Sequence, residues 1–579
     1  MAPTPASFLR HWFSSEDGLS DRLIPRWLFL RALGLIYFSA FYSLVFQIRG
    51  LIGPQGILPA GEYLEAIARQ FGGLRFWYAP TLLWIRSGDH TLTAICWVGM
   101  IAAVLLVLNV WPRGMLFLCF VCFLSFVVAA EDFSGYQSDG MLLEAGFISL
   151  FFAPAGFRPR LGRASPPSRM SLFLLQWEWF RIYFESGIVK LASHDPEWRN
   201  FTAMDEYYQN GPLPTWIGWY VQHLPHWFHA FTTGATLVLE LGLVFMLFLP
   251  RPLRIACFFI VTAWQIPVIL TANYTFLNYL VLLLGVLLLD DRFCLRVVPE
   301  RWRQRLRQHL APPARPEAAP AEARLLELNL ASPEATVSAE QRAQEPVSPL
   351  ERSENEPPRE EVARKPPARS YPHPWTAFKL AINTVALSWI FYVTTAVLLW
   401  TLFPHLPLPV SPAAAIDPFR IANRYGLFAV MTRGRYEIEF QGSDDGQNWK
   451  AYPFKYKPQE LSQKPRIYAP YQPRFDWNLW FASLGSWREN LLVVSTEERL
   501  LEGSRDVLAL FAGNPFPNAP PREVRAVLWQ YWFTSMAEKR ATGLWWRREL
   551  IGLYAPVVAR DADGKIVVVE WPPPLTPRQ

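Results

Sequence analysis

Nine apolar runs near the length of a spanning helix constrain this chain more than anything else in its sequence. A helix needs about 20 mostly apolar residues to cross the hydrocarbon of a bilayer. Runs of that kind fall at 27–47, 91–111, 114–130, 140–154, 172–192, 232–250, 253–270, 275–290 and 377–403. Those at 114–130, 140–154 and 275–290 are short for a span, and 140–154 reads equally as a re-entrant helix. Charged residues make up only 18% of the chain and hydrophobic ones 51%, against about a quarter charged in ordinary soluble domains. The expected fold is an α-helical multi-pass membrane protein with about 8–9 transmembrane helices and a C-terminal β-rich extracytoplasmic domain.

The net charge of +6 suggests nucleic-acid binding only until the arginines are located. They cluster in short loops: Arg158, Arg160, Arg163 and Arg169 in one, Arg251 and Arg254 in the next, and six more after residue 290. If nine helices alternate, these loops share one side, while the segments 131–139, 194–206 and 271–275 on the other are poor in Lys and Arg. By the positive-inside rule the N-terminus is cytoplasmic and the C-terminal region lies outside. The loop 48–90, with Arg49, Arg69, Arg75 and Arg86 on the outer side, fits this less well. The polar, partly acidic N-terminal segment does not read as a cleaved signal peptide.

The expected organisation is an N-terminal cytoplasmic segment (1–26), a transmembrane helical domain (27–299), a disordered cytoplasmic linker (300–370), a final transmembrane helix (371–403) and a β-rich outer domain (404–579). The linker is rich in Ala, Pro, Glu and Arg, a composition that buries too little apolar surface to fold. In the outer domain "GRYEIEFQGSDDGQNWKAYPF" alternates and turns like a β-hairpin, and "IVVVEW" reads as a strand after the "DADGK" turn. "ENLLVVSTEERLLEG" and "PPREVRAVLWQYWF" read as partly helical or mixed.

A charged side chain at the centre of a spanning helix costs about 2.5–3.5 kcal/mol on insertion scales, so each one implies a partner or a task. The run 172–192 holds Glu178, Arg181, Glu185 and Lys190. The first three are spaced three and four apart, so they share a helix face on which the arginine can pair with either carboxylate. Lys190 lies off that face; it either snorkels to water or, desolvated, serves as a base. Glu144 and Glu240 are further intramembrane carboxylates, and Gln265, Asn273 and Asn278 add neutral polar groups suited to helix–helix hydrogen bonds. His226 and His229, with His194 and His223 nearby, lie among interfacial aromatics without an HExxH pattern, so no metal site is expected. All five cysteines lie in or just after apolar runs, so no disulfide framework, redox pair, zinc-ligand cluster or cofactor is expected.

Long blocks carry a family resemblance. "SGYQSDGMLLEAGFISLFFAP" (134–154), "FRIYFESGIVKLASHDPEWRNFTAMDEYYQNGPLPTWIGWYVQHLPHWFH" (180–229), "LELGLVFMLFLPRPLRI" (239–255) and "RYGLFAVMTRGRYEIEFQGSDDGQNWKAYPFKYKP" (424–458) together resemble the lipase maturation factor family. The resemblance implies a multi-pass membrane protein that helps secreted lipases reach an active folded state. It sits in the endoplasmic reticulum membrane in animals and, for a chain of this composition, in a bacterial inner membrane. More locally, "SGIVKL" with the following "EW" and "MDEYY" is similar to the membrane domain of vitamin K-dependent γ-carboxylase, which implies Lys190 as a catalytic base.

Two functions follow. In the first, exposed aromatics and strand edges of the outer domain engage a folding lipase or other exported client, with Trp477, Trp480 and Trp487 as candidate contacts. In the second, Lys190 acts as base in a polar membrane cavity shaped by Glu144, Arg181 and Glu185. The expected partners are that client and membrane lipid, with no nucleic acid. No inverted repeat supports a transporter.

Overall fold

The computed structural model describes residues 5–310 and 374–573. Six helices are long and apolar enough to cross a membrane: Leu23–Val45, Asp89–Val107, Pro112–Ala129, His226–Phe248, Arg251–Thr271 and Trp375–Leu402. The elements used below are α1 (Leu23–Val45), α2 (Asp89–Val107), α3 (Pro112–Ala129), α4 (Gln137–Phe152), α5 (Arg169–Ala192), α6 (His226–Leu241), α7 (Arg251–Thr271), α8 (Leu277–Gly285) and α9 (Pro374–Leu402). Each of the nine apolar runs therefore forms a helix. Three of these helices fall outside the six for physical reasons. α4 has 16 residues and α8 has 9, both short for the hydrocarbon, and α5 carries four charged residues in its apolar stretch.

The helix ends are held by long-range polar contacts. Asp291 caps α1, accepting from Leu23 N at 3.2 Å and Ile24 N at 2.7 Å, and so satisfies orphan donors of the first turn. Arg26 donates to the carbonyls of Ser165 (2.6 Å), Leu161 (2.9 Å) and Gly162 (2.8 Å), tying α1 to the arginine-rich loop. Ser168 caps α5 through Ser171 N at 3.2 Å. Within the bundle α5 packs on α4, α6 and α8, and α1 packs on α2.

Two close approaches need glycine. A Cβ on Gly187 of α5 would lie 2.8 Å from Leu241 Cδ2 and 3.0 Å from Glu240 Cβ, so its absence lets α6 run against α5 beside Lys190. A Cβ on Gly140 of α4 would lie 2.7 Å from the Asn423 side chain. Both positions sit where polar partners meet.

The C-terminal region holds α10 (Arg474–Ser483), α11 (Leu491–Leu501) and six strands: β1 (Arg435–Ser443), β2 (Lys450–Ala451), β3 (Glu523–Phe533), β4 (Trp546–Leu553), β5 (Val557–Arg560) and β6 (Ile566–Glu570). The sheet runs β2-β1-β3-β5-β6, with β4 also pairing β3, and every pairing is antiparallel. The expected hairpin is β1–β2, in the register Gln441↔Ala451. "IVVVE" is β6. The two stretches read as mixed separate cleanly. "LLVVSTEERLL" is α11, and "EVRAVLWQYWF" is β3, the central strand, whose Val524, Ala526 and Leu528 are buried on one alternating face.

Residues 5–297 and 380–573 form one compact unit, so the sheet region does not hang from the helical body as a separate module. Arg474 of α10 makes a fully buried bidentate pair with Asp139 of α4 at 2.7 and 2.8 Å and donates to Phe133 O at 2.7 Å. Asn273 donates to Arg466 O at 2.8 Å and accepts from Tyr468 N at 2.6 Å. Arg49 pairs with Asp506 at 2.9 Å, and Arg499 donates to Gly56 O at 2.9 Å. The stretch expected to be a linker begins with a helix over Glu300–Leu310, and its remainder lies outside the described residues.

Candidate functional site

Ahead of β1, residues 423–433 run as an irregular strap along α4, α5 and the segment that follows α5. A strap has no ladder to pair its backbone groups, so these must find partners elsewhere. Buried carboxylates provide them. Glu144 accepts from Asn423 N (2.8 Å), Asn423 Nδ2 (3.2 Å) and Tyr425 OH (2.9 Å). Glu185 accepts from Tyr425 N at 2.6 Å, and further along Asp195 accepts from Met431 N at 2.7 Å. Gln137 accepts from Gly426 N at 3.1 Å.

Arg181 closes this seam. Its guanidinium pairs with Glu144, lies 3.8 Å from Glu185, donates to Asn423 O at 2.7 Å and stacks 5.1 Å from the Tyr425 ring centroid. On this helix face Arg181 meets Glu185 and, from α4, Glu144, and the three together bond the strap. Glu178, the second carboxylate of that face, is fully buried.

Lys190 belongs to a different site. It is 2% exposed and does not reach water. Its ammonium donates to both oxygens of Glu240 on α6, at 2.9 and 2.8 Å, and to Ser186 O at 3.4 Å, with the Trp198 ring 5.1 Å away. Burial follows from the pairing: an ammonium beside a carboxylate and an aromatic face no longer needs to snorkel. The pair lines a cavity of about 330 Å³ between α5, α6, α7, α8 and the strap. A second cavity of about 400 Å³ lies next to it, walled by Tyr136, Trp477, Trp480 and Phe481.

Phe428 lines both cavities. Its φ of 56° is left-handed, unusual for a bulky residue. Its carbonyl accepts from Trp198 Nε1 at 2.9 Å, and its ring packs on Tyr207 and Tyr274 at 5.7 and 5.1 Å.

Of the three tryptophans singled out in the sequence, Trp477 and Trp480 are each 7% exposed and wall the second cavity, with Trp480 donating to Asn210 O at 3.0 Å. Trp487 is half-buried beside Trp571, 6.0 Å away. Trp571 follows β6, an edge strand that pairs only with β5 among the described residues. Val567, Val568 and Val569 are exposed on that strand, Val569 by 55% and Trp571 by 62%. His226 pairs with Asp205 at 2.9 Å and His229 is buried. Among the described residues no group of three or more His, Cys, Asp or Glu is placed to hold a metal.

In the C-terminal region burial shifts two carboxyls. Asp476 accepts from the backbone N–H groups of Tyr456 and Lys457, both at 3.2 Å, yet desolvation pushes its carboxyl up to about 6. Glu497 of α11 is fully buried, and desolvation holds it well above the usual carboxylate range.

A bundle of apolar helices locked to an antiparallel sheet by buried arginine–carboxylate seams is a membrane protein with an integral sheet region rather than a membrane anchor carrying a free domain. Family comparison places it further. Residues 24–296 match the lipase maturation factor transmembrane domain, and residues 421–556 match the lipase maturation factor C-terminal domain. The chain is 32% identical to lipase maturation factor 2 of Gallus gallus over 92% of its length and 81% of that protein. It is 31% identical to lipase maturation factor 2 of Homo sapiens (93% and 83%) and 29% identical to lipase maturation factor 1 of Bos taurus (95% and 92%). The chain belongs to the lipase maturation factor family. No solved structure matches it. Neither matching family model is a carboxylase, nor is any of these relatives, so the local similarity around Lys190 gains no support.

Proposed function

We propose that this chain is a membrane-embedded folding factor that brings a secreted lipase, or a related exported protein, to its active state. The observation that carries this reading is the 32% identity to a lipase maturation factor across 92% of the chain, through the helical body and the sheet region alike. Client contact is assigned to β6 and Trp571 with Trp487 beside it. An edge strand whose outer side pairs with no strand among the described residues, and whose valines are exposed, is suited to adding a strand from a partially folded client. The N-terminus is placed in the cytoplasm and the sheet region outside. In support, Arg26 and Asp291 gather the arginine-rich loops at one set of helix ends, whereas the sheet region contacts Asp139 and Asn273, in segments poor in Lys and Arg. We place all nine helices within the membrane region, which in a bacterium is the inner membrane. Deleting the gene should lower the specific activity of a secreted lipase without lowering the amount secreted. Unchanged specific activity would contradict the proposal.

A further inference from the structure

The cavity beside Lys190 has a composition that neither helix packing nor client folding explains. α6 presents Phe228, Thr232, Thr236 and Glu240 to it, four residues spaced by four and so on a single face. The opposite face of α6 carries Phe231 and Val238, 67% and 60% exposed, and the outer face of α7 carries the exposed Ile266 and Leu270. α6 packs on α5, while α7 packs on α8 and the short helix Trp216–Gln222. The two consecutive helices are joined through the turn Leu243–Phe248, and the cavity lies between them, with exposed apolar surface on either side.

The wall of this cavity holds donors without acceptors. Gln265 is 5% exposed; its Oε1 accepts from Tyr183 OH at 3.1 Å, which leaves its NH₂ with no acceptor among the described residues. Asn278, also 5% exposed, makes no side-chain hydrogen bond with any described residue. The threonine hydroxyls are not in the same position, because Thr232 and Thr236 donate to carbonyls of their own helix. Lys190 and Glu240 satisfy each other and leave the site without net charge. Amides that open onto a largely apolar space of about 330 Å³ favour an occupant that accepts from them. That volume falls in the range of about 300–1,000 Å³ typical of small-molecule sites.

We propose that this cavity binds an ester-linked acyl chain of a membrane glycerolipid. The chain enters from the bilayer between α6 and α7, and an ester carbonyl accepts from the amides of Gln265 and Asn278. An uncharged acceptor suits the site, because a free carboxylate would compete with Glu240 for Lys190. A bilayer lipid is favoured as the source because the helices flanking the cavity are of spanning length and expose apolar residues on their other faces.

The full-length protein in nanodiscs of palmitoyl-oleoyl phosphatidylethanolamine and phosphatidylglycerol, doped with a diazirine-tailed phosphatidylethanolamine, provides the test. Photolabelled peptides are mapped by mass spectrometry. Labelling at Thr236 and Val268, on the inner faces, is expected. Thr236→Trp, which fills the space, should reduce that labelling by about tenfold or more, and Asn278→Leu, which keeps the volume but removes the donor, by about three- to tenfold. Phe231→Trp on the outer face should leave it unchanged. Label confined to Phe231, Val238 and Ile266, or inner labelling equal in wild type and Thr236→Trp, would overturn the proposal. If Thr236→Trp fails to fold, Asn278→Leu decides alone, and unchanged inner labelling in that variant would overturn it.

Discussion

The two sides of α5 use charge in opposite ways. On the side of Arg181, Glu144 and Glu185 take up backbone and side-chain donors of the strap, and the arginine bridges both carboxylates. On the side of Lys190, the charges neutralise each other at the wall of an open space onto which the Gln265 and Asn278 amide NH₂ groups face with no acceptor among the described residues. The first arrangement joins two parts of the chain; the second leaves room for something else. One helix thus supplies structural cohesion and a candidate binding site less than three turns apart, and a charge in its sequence does not by itself say which.

Substitutions at the seam should show the largest effects. Arg181→Ala leaves two buried carboxylates without their cation, and breaking a buried pair in this way costs about 3–5 kcal/mol. We expect a large drop in thermal stability in detergent and faster proteolysis of the strap around Asn423. Asp139→Ala, which strands Arg474, should act similarly. If either variant were as stable as wild type, the seam would not join the two regions as described.

A pH titration separates the seam from the interior of the sheet region. The Asp476 carboxyl sits near 6 in the folded protein against 3.8 for the ordinary group. Between those values the folded state holds a proton that the unfolded chain has released, so stability is greater at low pH and falls as pH rises through the window. Asp476→Asn should flatten that slope, read by denaturant unfolding of the purified protein at several pH values. Glu497→Gln should act in the same direction at neutral pH, raising stability because the folded state no longer has to hold a proton that the unfolded chain has released.

Smaller effects are expected on the cavity side. Lys190→Met with Glu240→Leu replaces a matched pair by apolar groups of similar size, and such exchanges are often neutral or stabilising. The double variant should remain within about 1 kcal/mol of wild type, whereas Lys190→Met alone should be clearly worse because it isolates Glu240. Comparable losses in both would mean that Lys190 does more than neutralise its partner. Arg499→Ala, at a part-exposed pair with Glu502, should change stability by less than about 1 kcal/mol beyond the loss of its bond to Gly56.

The helices were legible because apolar runs of spanning length have few alternatives. The face shared by Arg181 and Glu185 was legible from spacing alone. Its purpose was not, because Asn423 and Tyr425 lie some 240 residues further along the chain and an irregular strap leaves no periodic trace. Lys190 has no carboxylate partner within reach on its own helix face, because Glu240 sits 50 residues away, and the missing side chain of Gly187 lets the two helices approach. A glycine three residues before the lysine is the sequence signal of that approach. β3 read as mixed because aromatic and charged residues blur its alternation, with Arg525, Trp529 and Trp532 only partly buried. Trp477 and Trp480 carried no signal that separates a cavity wall from a surface contact.

The most direct measurement is the specific activity of a secreted lipase in a strain lacking this gene, complemented with wild type or with Val567→Lys plus Val569→Lys on β6, at matched membrane abundance. Wild type should restore specific activity, and the edge-strand variant, folded but with charge along its open edge, should not. Specific activity that does not change on deletion, or an edge variant that complements fully, would contradict a client-folding role exercised through that strand.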